Sequence, residues 1–170
     1  ASCDVIQLLL DRDPDNNSLF VKDTYGRLPI DCALLNGASR DVIQLLLDRD
    51  PENKSTFEKD AYGHRPIHFA CEYGASREVI QLPLKCDAEN TSIYEKGEEG
   101  DLPIHHACRY GSSVDVVQLF LDHDAENISL FERDNFGDLP IHCAYLNGAS
   151  PDVIQVLLDC DTEHKSVFEK

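Results

Sequence analysis

The chain has 170 residues, 42% of them hydrophobic and 28% charged, so it can bury the core of one folded domain. Asp and Glu number 32 against 15 Lys and Arg, and the net charge of −17 disfavours nucleic acid and favours a protein partner with a basic patch. No apolar run is long enough for a membrane span, and no export signal is expected because the first residues lack a basic start.

The sequence repeats itself every 37 residues. The first block begins at Ala1, full copies begin at Ala38, Ala75 and Ser112, and a shorter copy begins at Ala149. A fixed period in the range of about 20 to 50 residues is typical of a solenoid, in which each unit buries its apolar face only against a neighbour.

Each copy contains a short amphipathic helix with marked ends. It is predicted to begin at a proline, which suits the first helical turn, and to end at a glycine, which can adopt the left-handed cap conformation. The prolines are Pro29, Pro66, Pro103 and Pro140, and the glycines are Gly37, Gly74, Gly111 and Gly148.

A second helix is predicted to follow in each copy. It begins at a capping serine such as Ser39, carries an apolar stripe such as Val42 to Leu47, and ends at an aspartate such as Asp50. In one copy Pro83 falls inside this helix, where it removes a hydrogen bond, so a kink is expected there.

A loop then leads to the next copy. It contains an aromatic residue that we expect to pack between units rather than to bind a ligand, followed by an Asp-x-x-Gly turn. The aromatics are Phe20, Phe57, Tyr94, Phe131 and Phe168, and the turns are 23–26, 60–63 and 134–137. Residues Gly97 to Gly100 replace this turn in one copy, so a more flexible tip is predicted there.

The segment Asp60-x-x-Gly63, Arg65-Pro66-Ile67-His68 and Val79-Ile80-x-Leu82 resembles the ankyrin repeat, and the match extends over the whole chain. The resemblance implies an all-α helix-turn-helix solenoid, a right-handed curved stack with loop or short β-hairpin tips. One domain, 1–170, would comprise a half unit (1–22) and units one to four: 23–59, 60–96, 97–133 and 134–170. The units are longer than the usual repeat of about 33 residues.

The histidines and cysteines are the residues from which a metal site could be built. Side chains of types that bind zinc lie close together in two copies, but no Cys-x-x-Cys pair is present to fix a tetrahedral site. They are His105, His106, Cys108, His142 and Cys143. The resemblance implies that His68, His105 and His142 bond to neighbouring backbone instead. We therefore expect no metal, no cofactor and no catalysis.

The seven cysteines include Cys71 and Cys108 one repeat apart, too far for a disulfide if units stack. Free, packed thiols in an intracellular, reducing compartment, with the cytoplasm favoured, are therefore expected. A chain that starts at Ala1 and contains no Met is expected to be an excerpt or a processed product.

The resemblance implies a protein-interaction scaffold that binds its partner on the concave face formed by turns and first helices. Exposed aromatics would anchor the partner, although stacking of these rings between units is an equal alternative. The predicted contact residues are Tyr25, Arg27, Tyr62, His64, Glu72, Tyr73, Glu98, Glu99, Asp101, Arg109, Tyr110, Phe136 and Asp138.

A second hypothesis is a structural role as a segment of a longer array within a large assembly. In that case the ends of the stack would be the principal contacts, because terminal repeats normally present a polar outer face and Val153 to Leu158 do not.

Overall fold

A computed structural model describes residues 3–161, and this part of the chain is helical and contains no β-strand. The α-helices are α1 (Cys3–Leu10), α2 (Pro29–Leu35), α3 (Arg40–Asp48), α4 (Lys54–Phe57), α5 (Pro66–Glu72), α6 (Arg77–Lys85), α7 (Pro103–Arg109), α8 (Val114–His123), α9 (Pro140–Leu146) and α10 (Pro151–Cys160). Single 3-10 turns occupy Asn17–Phe20, Thr91–Tyr94 and Ile128–Leu130.

The helices form two layers. First helices of successive units pack in the order α2, α5, α7 and α9, and second helices pack in the order α1, α3, α6, α8 and α10. The layers meet in one continuous core, to which the second helices contribute the fully buried Ile43, Ile80 and Val117. The predicted all-helical repeat fold is therefore confirmed. None of the described helices is both long and apolar enough to cross a membrane.

The first helices begin at the predicted prolines, and their caps use a different device from a hydroxyl. The residue before each proline has an extended backbone, and its N–H donates to the side chain three positions later. His68 Nδ1 accepts from Arg65 N–H at 3.1 Å, and Asp31 Oδ2 accepts from Leu28 N–H at 2.7 Å. This half of a capping box satisfies one backbone N–H group outside the first helical turn.

An aspartate one to three residues after the end of each second helix organises the following loop. Asp50 Oδ2 accepts from Ser55 N–H at 2.7 Å, and Asp124 Oδ2 accepts from Ser129 N–H at 2.7 Å. Between the aspartate and the residue that donates to it, the chain turns at an asparagine with φ of 54°, a conformation that asparagine tolerates well. These asparagines are Asn16, Asn53, Asn90 and Asn127.

The loop aromatics are less buried than predicted. Phe20, Tyr94 and Phe131 are more than one third exposed, while the residue before each is almost fully buried. For these three residues the prediction of a packed aromatic was wrong by one position, because the 3-10 turn directs the preceding residue, such as Ile93, into the core. Phe57 is half-buried, with the Arg65 guanidinium over its ring. Tyr94 nevertheless bridges two units through a hydrogen bond from Oη to Asp124 Oδ1 at 2.7 Å. Phe168 lies outside the described residues.

Pro83 does not interrupt its helix. Helix α6 continues from Arg77 to Lys85 and has nine residues, as α3 has. Pro83 is buried, and it occupies the position of Leu9, Leu46, Phe120 and Leu157 in the other copies. The turn that starts at Gly97 also retains the backbone pattern of the others, with Gly97 N–H donating to Asp101 O at 2.9 Å.

Candidate functional site

The tips between helix pairs lie side by side and are joined by backbone hydrogen bonds. Ala61 N–H donates to Tyr25 O at 2.9 Å, Glu98 N–H to Tyr62 O at 2.8 Å, and Asn135 N–H to Glu99 O at 2.7 Å. One tip therefore fixes the position of the next, and the side chains that point outward form a row across the four units.

An aspartate carboxylate holds each tip in units one, two and four. Asp60 Oδ1 accepts from Tyr62 N–H at 2.9 Å and from His64 N–H at 2.8 Å, while Gly63 takes the left-handed conformation with φ of 78°. Asp23 and Asp134 make the same pair of bonds in their own units. The residue that donates the first of these two bonds is exposed in each of the three units, namely Tyr25, Tyr62 and Phe136.

The predicted aromatic contact residues are all exposed. The exposed fraction of these side chains ranges from 45% to 67%; the residues are Tyr25, Tyr62, Tyr73, Tyr110 and Phe136. Within residues 3–161 none of these rings pairs with another of the set, and the recorded ring contact is that of Tyr110 with His106 at 5.6 Å between centroids. Stacking of these aromatics on each other between units is therefore not observed.

The charged contact residues are partly neutralised by each other. Arg109 is half-buried, and its Nη2 lies 2.7 Å from Asp134 Oδ2 while its Nη1 lies 3.4 Å from Glu99 Oε2. Arg27 is held by Asp23 in the same way and lies over the Tyr25 ring at 4.6 Å. The remaining predicted members differ in exposure: Glu98 and Glu99 are exposed, and Glu72, His64 and Asp138 are half-buried.

Asp101 is not at the surface, and its predicted place among the outward-facing residues is wrong. Its exposed fraction is 1%, and its Oδ2 contacts Nε2 of His106, whose exposed fraction is 2%. The physical reason is Gly97, which replaces the turn aspartate and leaves the space into which the Asp101 carboxylate folds. Although burial alone raises the pKa of Asp101, the neighbouring His106 holds that pKa below its ordinary value.

His106 is therefore a residue whose setting the sequence reasoning missed. The sequence groups it with His105, Cys108, His142 and Cys143, yet the structure sets it beside Asp101 and beside the His64 ring of unit two, at 5.2 Å between ring centroids. A signal was present in the sequence, because unit three departs from both neighbouring units at two positions at once, with Gly97 and His106.

His68 and His105 have the structural role that the resemblance implied. The Nδ1 atom of each accepts the capping bond, and Nε2 bonds to the carbonyl of Glu95 at 3.0 Å or of Glu132 at 3.1 Å. Burial lowers the pKa of both histidines, that of His68 to about 3 with His106 and His64 adding to the effect. Both rings are thus neutral, and both nitrogens of each ring are occupied.

Stacked helix pairs with hydrogen-bonded tips define a tandem helical-repeat protein that presents a row of exposed aromatic side chains. The family model for ankyrin repeats, in three copies, matches residues 67–167, and the chain belongs to the ankyrin repeat family. Ankyrin repeats generally act as protein–protein interaction modules. None of the curated proteins compared with the chain matches it.

Proposed function

We propose that this protein is a non-catalytic scaffold that holds a protein partner against its front surface. The front surface is the set Tyr25, Arg27, Tyr62, Glu72, Tyr73, Glu98, Glu99, Arg109, Tyr110, Phe136 and Asp138. The observation that carries the proposal is the row of exposed aromatics on tips that are bonded to each other. Family membership supports placing this surface on the concave side of the stack.

Exposed tyrosines on a rigid frame favour binding for two reasons. A tyrosine supplies a large apolar area with a polar tip, and aromatic residues are enriched among those that dominate binding energy. The backbone bonds from Ala61 to Tyr25 and from Glu98 to Tyr62 hold the tips before a partner arrives. Less conformational entropy is then lost on association.

The charge of the chain supports a partner with a basic patch. The net charge is −17, and Glu98 and Glu99 are exposed at the centre of the front surface. Binding through them should weaken as salt is added, because exposed charges are screened.

All seven cysteines are free thiols, and Cys71 and Cys108 are fully buried, which supports a reducing, cytoplasmic compartment.

Affinity capture followed by mass spectrometry would identify the partner, and tyrosine variants then test the surface. The double variant Tyr62→Ala with Tyr110→Ala should weaken the measured affinity by roughly 30-fold or more, which is the loss for a single anchor residue that contributes about 2 kcal/mol. The matched control is Tyr145→Ala. Tyr145 is 79% exposed but occupies the register of the buried Cys71 and Cys108, and so faces along the stack. Unchanged affinity in the double variant would refute the front surface.

A second candidate function is docking at the α1 end of the stack within a larger assembly. Helix α1 exposes Val5, Leu8 and Leu9 to 49%, 54% and 59%, although the equivalent Val42 and Leu46 of α3 are buried between units. Such an apolar face favours contact with a further repeat or a second copy. Light scattering tests this candidate: self-association that Leu8→Gln with Leu9→Gln abolishes would support it, and a monomer at all concentrations would count against it.

A further inference from the structure

Three side chains with metal-binding atoms meet at the junction of units two and three. They are His64 from the tip of unit two, Asp101 from the tip of unit three, and His106 from α7. One potential ligand atom from each lies within 4.8 Å of the others. Asp101 and His106 are almost fully buried, whereas His64 is half-buried, so the cluster has one side open to solvent.

Polar atoms of the cluster lack hydrogen-bond partners. Asp101 Oδ1 and both ring nitrogens of His106 are buried, and none of them has a hydrogen-bond partner within the described part of the chain. The contact of His106 Nε2 with Asp101 Oδ2 does not have the direction of a hydrogen bond. Buried polar atoms are normally paired, so orphaned donors and acceptors in one cluster point to an absent ligand.

Gly97 leaves the space in which these atoms converge. A Cβ atom at this position would lie 2.8 Å from Asp101 Oδ1 and 2.8 Å from His64 Nε2. Units one, two and four have an aspartate at the equivalent position and lack the histidine equivalent to His106. The glycine, the inward carboxylate and the extra histidine therefore occur together in one unit, where they form a cluster that the others cannot form.

We propose that His64, Asp101 and His106 bind one Zn²⁺ ion per chain. Imidazole nitrogen and carboxylate oxygen are zinc ligands, and three protein ligands leave one coordination position for water on the open side. Magnesium and calcium prefer oxygen-only sites, so the two imidazoles select against them. The ion would tie the tip of unit two to that of unit three and stabilise this junction.

The neighbouring groups define what the ion must compete with. His68 lies 5.3 Å from His106 between ring centroids, but both its nitrogens are hydrogen-bonded, so it is not available as a ligand. Arg109 Nη1 lies 3.5 Å from Asp101 Oδ2, while its Nη2 is held by Asp134. The ion would therefore compete with Arg109 for Asp101 Oδ2.

A second group of potential ligands does not have these properties. Asp134, Asp138 and Cys143 also come close together, but Asp134 Oδ1 already accepts two backbone N–H groups and its Oδ2 binds Arg109. Both oxygens of the Asp134 carboxylate are therefore occupied, so this group is a weaker candidate for a metal site. The two clusters differ in whether their ligand atoms already have hydrogen-bond partners, not in residue type.

Zinc titration by calorimetry, with Co²⁺ absorption as a spectroscopic probe, tests the proposal on the full chain. One ion should bind per chain, with the d–d spectrum of a nitrogen and oxygen site and without thiolate charge-transfer bands. His106→Phe introduces the residue that unit two has at this position and should weaken binding by at least roughly tenfold. His123→Asn, distant from the cluster, is the matched control and should leave binding unchanged.

Three results would overturn the proposal. They are no binding by the wild type, which would leave a plain His106–Asp101 ion pair; binding that persists in His106→Phe; and a cobalt spectrum of thiolate type. If His106→Phe loses its helical circular dichroism, Gly97→Ala replaces it. The added Cβ would displace His64 and Asp101, so this variant should also bind zinc more weakly.

Discussion

The tips of units two and three have the same backbone and different chemistry. Asp60 N–H donates to His64 O at 2.9 Å, and Gly97 N–H donates to Asp101 O at the same distance. In unit two the Asp60 carboxylate holds the tip from within, whereas in unit three no side chain is present at that position and Asp101 turns inward. Bonds between neighbouring tips are thus sufficient to preserve the turn, and a carboxylate is free to change its role.

The difference also reflects position in the stack. Helix α7 is covered by α5 on one side and by α9 on the other, and residues 101–108 are all buried. A polar substitution there must find a partner or a ligand, because water is excluded. The same change near α1, where apolar side chains remain exposed, would have no such consequence.

The largest expected effect comes from removing the tip carboxylate of unit four. Asp134→Ala removes the tip carboxylate and also leaves Arg109 partly buried without its closest partner, so the free energy of unfolding should fall by about 3 kcal/mol. Asp23→Ala is the matched control, because Asp23 makes the same turn bonds at an exposed site. Urea unfolding measures both. Equal losses in the two variants would show that burial at the junction contributes nothing.

A second variant extends the comparison to the capping residues of the first helices. Burial, opposed by the bond from Leu28, raises the pKa of Asp31 to about 7. Because this pKa is above the unfolded value of about 3.9, the stability that the protonated group contributes is present at low pH and is lost as the pH rises through 7.

Asn cannot ionise and can still accept from Leu28 N–H. The gain in unfolding free energy from Asp31→Asn should therefore be about 2 kcal/mol larger at pH 8 than at pH 5. Urea unfolding at the two pH values gives this difference. Asp15→Asn makes the same change at an exposed residue and serves as the control for a general pH effect. A gain from Asp31→Asn that is independent of pH would contradict the role of burial.

The smallest expected effect comes from replacing the glycines of the tips. Gly26 and Gly137 both have positive φ, and an added Cβ at Gly26 would lie 2.8 Å from the backbone nitrogen of Ala61, whereas nothing described lies within 4 Å of one at Gly137. Alanine should destabilise both, and the loss at Gly26 should be larger by about 1 kcal/mol. Thermal unfolding followed by circular dichroism compares them, and identical losses would mean that the tip-to-tip bond is dispensable.

The helical repeat was predictable because its signals are local. Proline at Pro66, glycine at Gly74 and the apolar stripe of Val79 and Ile80 each act within one helix or at its ends, and the structure bears them out. Tyr62, which the resemblance to ankyrin repeats places facing outward, is exposed. Such features need only the spacing of residues along the chain.

The predictions that failed had two causes, a contact between units and the form of a loop. Whether Asp101 faces solvent is decided by the missing side chain of Gly97 and by His64 from the preceding unit. The position of Phe131 was wrong by one residue because a 3-10 turn, rather than an extended loop, precedes it. Neither fact can be read from one copy of the repeat, although comparison of the copies marks unit three as different.

Zinc binding at the junction of units two and three is tested most directly by NMR of the histidine ring nitrogens. After one equivalent of Zn²⁺ is added to the full chain, the chemical shifts of the ring nitrogens of His64 and His106 should change to the values of metal-bound imidazole. Those of His68, His105, His123 and His142 should remain unchanged. A spectrum without change, or one in which histidines outside the cluster respond, would contradict the account.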